Sequence, residues 1–316
     1  MVAAMSLFGG CGGSPAARDV SGETAAKRKE PEPAARAFDA DRAMQHIRQL
    51  SVEIGPRAGG SEAEHRAAAY IGDAFSQLGY ANVMEQAFPS DLGRPSYNVY
   101  VEDVGSRPQW VIIVGAHYDS AGGTGSPGAN DNASGVGVML ELARVYRSRE
   151  QVPTLLFAAF GSEEYPENSG EDEAQGGSAY MAGRLGEIEG EVIGMVNLDM
   201  VGVGGEFFTF ATLEAPGTLL DLFMSYAEEQ EIEVAFEQDP GDWSDNGSFE
   251  GAGITSFTLE RQLDPDYHTP GDSFDRVERS GVEQCGRLLG GFLEKLGWYS
   301  CLLLQAGAER KRSDRQ

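Results

Sequence analysis

The sequence predicts an α/β fold of three layers, with a central mixed, mostly parallel sheet flanked by helices on both faces. Two observations predict it. Short apolar, β-branched runs alternate with stretches whose apolar residues recur at helical spacing. The rare histidines and clustered carboxylates fall just after those apolar runs, where open α/β sheets build their sites.

The elements follow in order. "DADRAMQHIRQLS" reads as a helix with an Asp available as its cap. In "GPRAGGSEAEHRAAAYIGDAFSQLGY", Ser61 is an N-cap candidate, and Ala68, Ile71, Phe75 and Leu78 recur at helical spacing. "NVMEQAF", "SYNVYVEDV" and "QWVIIVGAH" read as strands. "SGVGVMLELARVYRS" is a helix with Val138, Leu142 and Val145 along one stripe. "TLLFAAF", "VIGMVNLDMVG" and "GITSFTLE" read as further strands, and "GTLLDLFMSYAEEQ" and "GVEQCGRLL" as helices. There is no internal repeat.

The chain divides into three stretches. Residues 1–37 hold a signal-like start and a Gly-, Pro-, Ala- and charge-rich linker. Residues 38–301 form the folded body, and residues 302–316 a polar, basic tail expected to fray. No apolar run approaches the length of a membrane-spanning helix. "MSLFGGC" is similar to the end of a bacterial lipoprotein signal, which would lipidate Cys11 and tether the protein to the cell envelope, facing the periplasm or the exterior. It departs from that pattern at Phe8 and in having no Lys or Arg before the apolar run. An incidental cysteine in a disordered terminus is the plainer alternative.

The formal net charge is −26, from 50 acids against 24 Lys plus Arg. Such a surface repels nucleic acid. It is compatible with cationic ligands or a metal site, and equally with plain solubility. Cys285 and Cys301 lie in one helix-like segment; a continuous helix would separate them by roughly 24 Å, too far for a disulfide.

Seven positions stand out, five of them at strand ends. "VIIVGAHYDS" ends in His117 and Asp119, "TLLFAAFGSEE" in Glu163 and Glu164, and "VIGMVNLDM" places Asp199 near its end. "GANDNASG" sets Asp131 before a helix, and "LDPDYHTPGD" sets His268 in a loop. Each has a bland alternative: Asp131 as a helix-start residue, the Glu pair as a solvated run, the histidines as core or turn residues. Asp199, inside an apolar strand, is harder to dismiss, because a buried charge needs partners. Taken together, two His and several carboxylates form a ligand set that suits Zn²⁺. So many carboxylates do not tolerate one another without cations. Asp119, two residues beyond His117 and on its face, is placed to orient the imidazole. His46 and His65 read as surface residues in polar helices.

With these motifs assembled, the sequence resembles the M28 family of zinc peptidases, typified by bacterial aminopeptidases that hold two zinc ions. The resemblance spans roughly residues 37–298 and rests on "GPRAGGSEAEHRAAAYI", "GAHYDS", "GANDNASGVGVMLELAR", "FAAFGSEE", "NLDMVG" and "YHTPGDSFDRV" in order. It implies two Zn²⁺ per chain and a peptide substrate with a free N-terminus. His117 and Asp199 would hold one ion, Glu164 and His268 the other, with Asp131 bridging and Glu163 as general base. A cis peptide bond at Asp131–Asn132 belongs to the same pattern. "DWSDNGSFEGAGI" is similar to the family's substrate-side loop and makes Asp245 a substrate-binding candidate, with a simple turn Asp as the alternative. The family's pattern has His where this chain has Asn246.

Rival readings share the fold. Glutaminyl cyclases usually carry Trp before the last His, where this chain has Tyr267. A carboxypeptidase of the same family is another. Non-catalytic relatives lose ligands or the base, and all are present here. The last four acids of "FGSEEYPENSGEDEAQGGS" (Glu167, Glu171, Asp172 and Glu173) read as a solvated loop near the cleft rim, away from the metals.

Overall fold

A computed structural model describes residues 37–90, 94–147, 149–164, 176–212, 217–239, 244–261 and 264–314. Cys11, the linker and the acids Glu167, Glu171, Asp172 and Glu173 lie outside the described residues.

Eight strands form one sheet in the order β1-β2-β4-β3-β5-β8-β6-β7. They are β1 Met84–Pro89, β2 Pro95–Asp103, β3 Arg107–His117, β4 Pro153–Phe160, β5 Glu191–Leu198, β6 Phe207–Thr212, β7 Val234–Asp239 and β8 Ser256–Arg261. The centre, β4-β3-β5-β8, is parallel. The antiparallel pairs are β1 with β2, β2 with β4, and β6 with β8, while β6 and β7 pair in parallel. The sheet is thus mixed, with its parallel part in the middle.

The helices are α1 Ala40–Arg48, α2 Glu62–Gln77, α3 Gly135–Tyr146, α4 Gly176–Ala182, α5 Thr218–Glu229, α6 Asp245–Gly251, α7 Arg279–Lys295 and α8 Trp298–Asp314. Two caps follow the sequence signals: the Asp39 side chain accepts from Asp41 N, and Ser61 accepts from Glu64 N. The central strands read as near-continuous apolar runs because both faces are covered. Trp110, Ile112 and Val114 of β3 point into the larger core with α1, α2, α3, α5 and α7. Val111 and Ile113 point into the smaller one, with Met181 of α4 and Phe249 of α6. That alternation makes three layers.

Several elements depart from expectation. β6 and β7 extend the sheet where no strand is expected. α6 forms within a Gly- and Ser-bearing stretch of poor helix propensity. The C-terminal segment is two helices: Leu296 adopts a non-helical conformation (φ −70°, ψ 80°) and α7 ends there. Cys285 and Cys301 therefore sit on different helices, both buried and free. The segment expected as a frayed tail continues α8 as far as Asp314, with Leu304 and Ala308 buried, because those apolar residues still reach the core. Among the described residues, no helix is long and apolar enough to cross a membrane.

Candidate metal centre

The site lies where the parallel strands end. β3 delivers His117, the turn after β4 delivers Glu163 and Glu164, and β5 delivers Asp199. Asp131 comes from the turn before α3 and His268 from the loop after β8.

Asp131 is the centre of the arrangement, because its two oxygens face two different partner sets. Its Oδ1 lies 3.2 Å from His117 Nε2, which is itself 3.4 Å from Asp199 Oδ1. Its Oδ2 lies 3.2 Å from His268 Nε2, which is 2.9 Å from Glu164 Oε2. Ligand atoms of His117, Asp131 and Glu164 also lie within 4.8 Å of one another. Two donors at zinc-bonding length on a tetrahedron stand about 3.3 Å apart, given zinc bonds of about 2.0–2.1 Å to nitrogen and oxygen. The observed spacings fit that edge. Asp199 Oδ1 and His117 Nδ1 are buried with no hydrogen-bond partner among the described residues. The donor chemistry, imidazole with carboxylate, suits Zn²⁺.

Electrostatics point the same way. Burial pushes Glu163 and Glu164 well above the ordinary carboxylate range, with neighbouring acids adding to the effect. Burial also opposes ionisation of Asp131, yet hydrogen bonding to His117 and His268 holds it below the ordinary range. The cluster does not ionise fully without cations.

Local backbone sets each side chain. Gly128 has φ 58°, and a Cβ there would meet Asp131 O and Ser120 Cβ at 2.5 Å, so only glycine fits the approach to Asp131. The Asp131–Asn132 peptide bond is cis. Asn132 donates to Leu198 O at 2.7 Å, tying this turn to the end of β5. Ser162, Met200 and His268 hold left-handed backbone at φ 52°, 47° and 57°. Each conformation costs about 1–2 kcal/mol. Such residues cluster at functional sites.

Asp119 does something the sequence does not suggest. Its carboxylate accepts from Glu163 N and Glu164 N, both at 3.0 Å, and so grips the backbone of the pair. It stands 3.5 Å from His117 Nδ1, at the outer limit of a hydrogen bond, and that nitrogen has no partner of normal geometry among the described residues.

Asp245 begins α6 and is fully buried. Neither of its oxygens has a hydrogen-bond partner of normal geometry among the described residues. Burial drives it up to about 7, against the pull of His117 and Ser178. Asn246, in the position where the family pattern has His, accepts from Thr258 Oγ1 at 2.7 Å and donates to Glu250 at 3.0 Å. Its side chain is thereby engaged in packing α6 onto β8.

Sequence reasoning passed over the residues behind the cluster. Arg57 is fully buried and spends its guanidinium on the carbonyls of Tyr118, Pro127 and Gly128, at 2.5, 2.5 and 2.7 Å. Burial draws it down to about 10, against the nearby Asp119, Asp272, Asp131 and Glu164. Asp272 accepts from Asn130 N at 2.7 Å and Asp131 N at 3.1 Å. Glu64 accepts from Gly60 N at 2.6 Å and from the hydroxyls of Ser96 and Ser162 at 2.5 and 3.2 Å. Ser244 donates to Asp199 Oδ2 at 2.8 Å, leaving Oδ1 toward His117. Glu260, half-buried on β8, is pushed up to about 8 by burial and by Asp199 and Asp131. Arg57 and Glu64 fall within "GPRAGGSEAEHRAAAYI", Ser244 within "DWSDNGSFEGAGI" and Asp272 within "YHTPGDSFDRV", but these motifs do not say what each side chain holds.

The remaining histidines lie elsewhere and are less exposed than their polar surroundings suggest. His46 is half-buried with Nδ1 2.6 Å from Tyr70 Oη, and His65 Nε2 is 2.8 Å from Pro95 O.

Comparison with known proteins agrees with this geometry. The chain is 32% identical over 234 residues to aminopeptidase YwaD of Bacillus subtilis (strain 168), a match covering 69% of this chain and 48% of that protein. The chain therefore spans about half the length of that relative. It superposes on the structure of BSAP, a zinc aminopeptidase from Bacillus subtilis, with a TM-score of 0.70 at 22% identity, covering 84% of this chain and 95% of that one. A glutaminyl cyclase from Bacteroides thetaiotaomicron, bound to N-acetylhistamine, gives a TM-score of 0.70 at 20% identity, covering 82% of this chain and 98% of that one. At these identities the two structures establish the shared fold. The model of Peptidase family M28 matches residues 98–293, more than half the chain and all the site segments except the Arg57–Glu64 turn, and the chain belongs to that family.

Proposed function

We propose that the chain is a zinc-dependent aminopeptidase that hydrolyses the first peptide bond of a peptide with a free N-terminus. One observation carries the reading: Asp131 presents one oxygen to His117 and Asp199 and the other to His268 and Glu164, while Glu163 stands in neither set. His117, Asp131 and Asp199 would hold one zinc ion, and His268, Asp131 and Glu164 a second. When bound, such a pair lowers the pKa of water and polarises the scissile carbonyl.

The chain's own residues do the rest. Glu163 Oε2 lies 3.9 Å from His117 Nε2, beside the ligands and free of them. Its raised proton affinity suits a general base that accepts a proton from water and passes it to the leaving amine. Asp119 fixes the backbone that carries it. Asp245, buried beside the same cluster with no hydrogen-bond partner of normal geometry among the described residues, would receive the substrate's ammonium. The N-terminal segment, with Cys11 as a lipid-bearing residue, would tether the enzyme in the cell envelope; this rests on "MSLFGGC" alone.

The test is a panel of aminoacyl-arylamides, N-blocked peptides and Gln-initiated peptides, with metal counting. Cleavage restricted to free-amine substrates, at two zinc ions per chain, is the expected result. Conversion of Gln-peptides to pyroglutamate in place of hydrolysis would overturn it.

A further inference from the structure

Glu260 is a carboxylate with no role in the site described above. The parallel pairing of β5 with β8 matches Leu198 to Leu259, and the ladder continues through Asp199 N to Leu259 O and Arg261 N to Met200 O, both at 3.2 Å. Glu260 is thus the register partner of Asp199. It shares a face with Thr258, whose hydroxyl accepts from Asn197 Nδ2 at 3.2 Å. On its other side, the antiparallel pairing of β6 with β8 sets Phe208 directly opposite Glu260. Glu260 therefore stands between a candidate zinc ligand and an aromatic ring, on the face of the sheet that carries the site.

It is half-buried, and its side chain makes no hydrogen bond or ion pair among the described residues. A second acid, fully buried Asp245, whose oxygens have no hydrogen-bond partner of normal geometry among the described residues, adjoins the same cluster from α6. The two differ in place. Asp245 counts Glu163, His117 and Asp199 among its charged neighbours, which puts it where the reacting amine must lie. Glu260 stands one strand further along the sheet, toward β6.

We propose that Glu260 is a specificity-determining residue that selects a cationic side chain, Lys or Arg, on the residue whose peptide bond is cut. This rests on the aminopeptidase reading. A long cationic side chain has two parts, and the geometry offers a partner to each. Its methylenes lie along an apolar wall such as Phe208, and its head meets the carboxylate. An aliphatic side chain in the same place strips water from Glu260 and returns no contact. A cationic head draws the carboxyl into its ionised form, and an acidic side chain gains no such contact.

The experiment measures kcat/KM for Arg-, Lys-, Leu- and Glu-arylamides with the wild type, Glu260→Gln and Glu260→Lys, each checked for bound zinc and thermal midpoint. The expected wild-type order is Arg and Lys above Leu, with Glu lowest. Glu260→Gln lowers the Arg-to-Leu ratio by about 10-fold or more, and Glu260→Lys lowers it further while raising the Glu-to-Leu ratio. Zinc content stays at the wild-type level in both. Leu turnover with an unchanged Arg-to-Leu ratio in the variants overturns the inference and leaves the aminopeptidase reading standing. Loss of zinc in Glu260→Gln overturns it too, by making Glu260 a ligand. No turnover of any free-amine substrate by the zinc-loaded wild type overturns both.

Discussion

Arg57→Met removes a cation that the fold has buried completely, and its effect follows from three hydrogen bonds. The guanidinium donates to Tyr118 O, Pro127 O and Gly128 O at 2.5–2.7 Å. Tyr118 lies between His117 and Asp119, and Gly128 leads into Asp131, so one side chain clasps the two segments that bring His117 to Asp131. Methionine fills most of the stem's space and satisfies none of the carbonyls. Gly128 O keeps its bond from Ala133 N at 3.1 Å, so the carbonyls of Tyr118 and Pro127 are the two left unpaired. Leaving a buried acceptor unpaired costs roughly 1–3 kcal/mol, so two cost roughly 2–6 kcal/mol. Relief from holding a charge in the interior returns part of that. The net expectation is a loss of about 2–4 kcal/mol, against a total stability of about 5–15 kcal/mol for a domain. Urea unfolding of chelator-treated wild type and variant, followed by circular dichroism at neutral pH, measures it. Arg57→Lys separates charge from geometry. A single ammonium does not span three carbonyls on two segments, so this variant should lose about 2 kcal/mol despite keeping its charge. A loss below about 1 kcal/mol in Arg57→Met, or wild-type stability in Arg57→Lys, would refute the clasp.

Three further predictions concern the rest of the centre. Glu163→Gln should lower turnover by about 10²–10⁴-fold and leave zinc content unchanged, since Glu163 belongs to neither ligand set; normal activity in that variant would remove it as the base. Asp272→Asn keeps one acceptor for the two N–H groups of Asn130 and Asp131, and should weaken zinc binding by about 10–100-fold in chelator competition; unchanged affinity would show that the turn holds itself. Glu64 predicts a pH effect on stability. Burial, aided by Asp119, raises its carboxyl to about 7 in the folded chain, against an ordinary 4.5. The folded state therefore holds this proton more tightly than the unfolded one. That contribution is complete below about pH 4.5 and is lost as the pH rises through about 7, up to roughly 3 kcal/mol in all. Glu64→Gln lacks the titration, so its stability relative to wild type should climb between pH 5 and pH 8. A difference that stays flat over that range would count against a carboxyl whose burial outweighs its hydrogen bonds.

The parallel centre of the sheet was legible because strands buried on both faces leave uninterrupted apolar runs, and "QWVIIVGAH" and "TLLFAAF" allow few other readings. The site was legible for a related reason: His117, Glu163, Glu164 and Asp199 each sit where such a run stops. The edge was not. β7, "VAFEQD", is an outer strand rich in acid and amide side chains, and nothing in it distinguishes a strand from a loop. α6 was hidden because its stretch, "DNGSFEG", is a poor helix former. It is held by Asn246 bonding Thr258 and Glu250, contacts that sequence order does not reveal. The roles of Arg57 and Asp272 were silent for the same cause, although both residues lie in recognisable motifs. Their partners are main-chain groups, and an Arg on a carbonyl or an Asp on an N–H leaves no complementary residue to read.

In the proposed reading, the adjacent acids Glu163 and Glu164 have two tasks, base and metal ligand, that the fold must separate although the sequence prints them side by side. Consecutive side chains point to opposite sides of an extended backbone. Here Glu164 reaches His268 at 2.9 Å, while Glu163 stays 3.9 Å from His117. That divergence needs the backbone itself held still, and three contacts hold it. Asp119 accepts both N–H groups of the pair. Ser162, in left-handed backbone, turns the chain just before them. Glu64 accepts the Ser162 hydroxyl, carrying the end of β4 back to the start of α2. Were Glu163 free to swing as Glu164 does, it would join the ligands, and a carboxylate bound to a metal has lost the proton affinity that a base requires. Keeping one acid out of the metal sets is therefore as much a product of the fold as bringing the other in, and the work falls on Asp119, Ser162 and Glu64, not on the two glutamates.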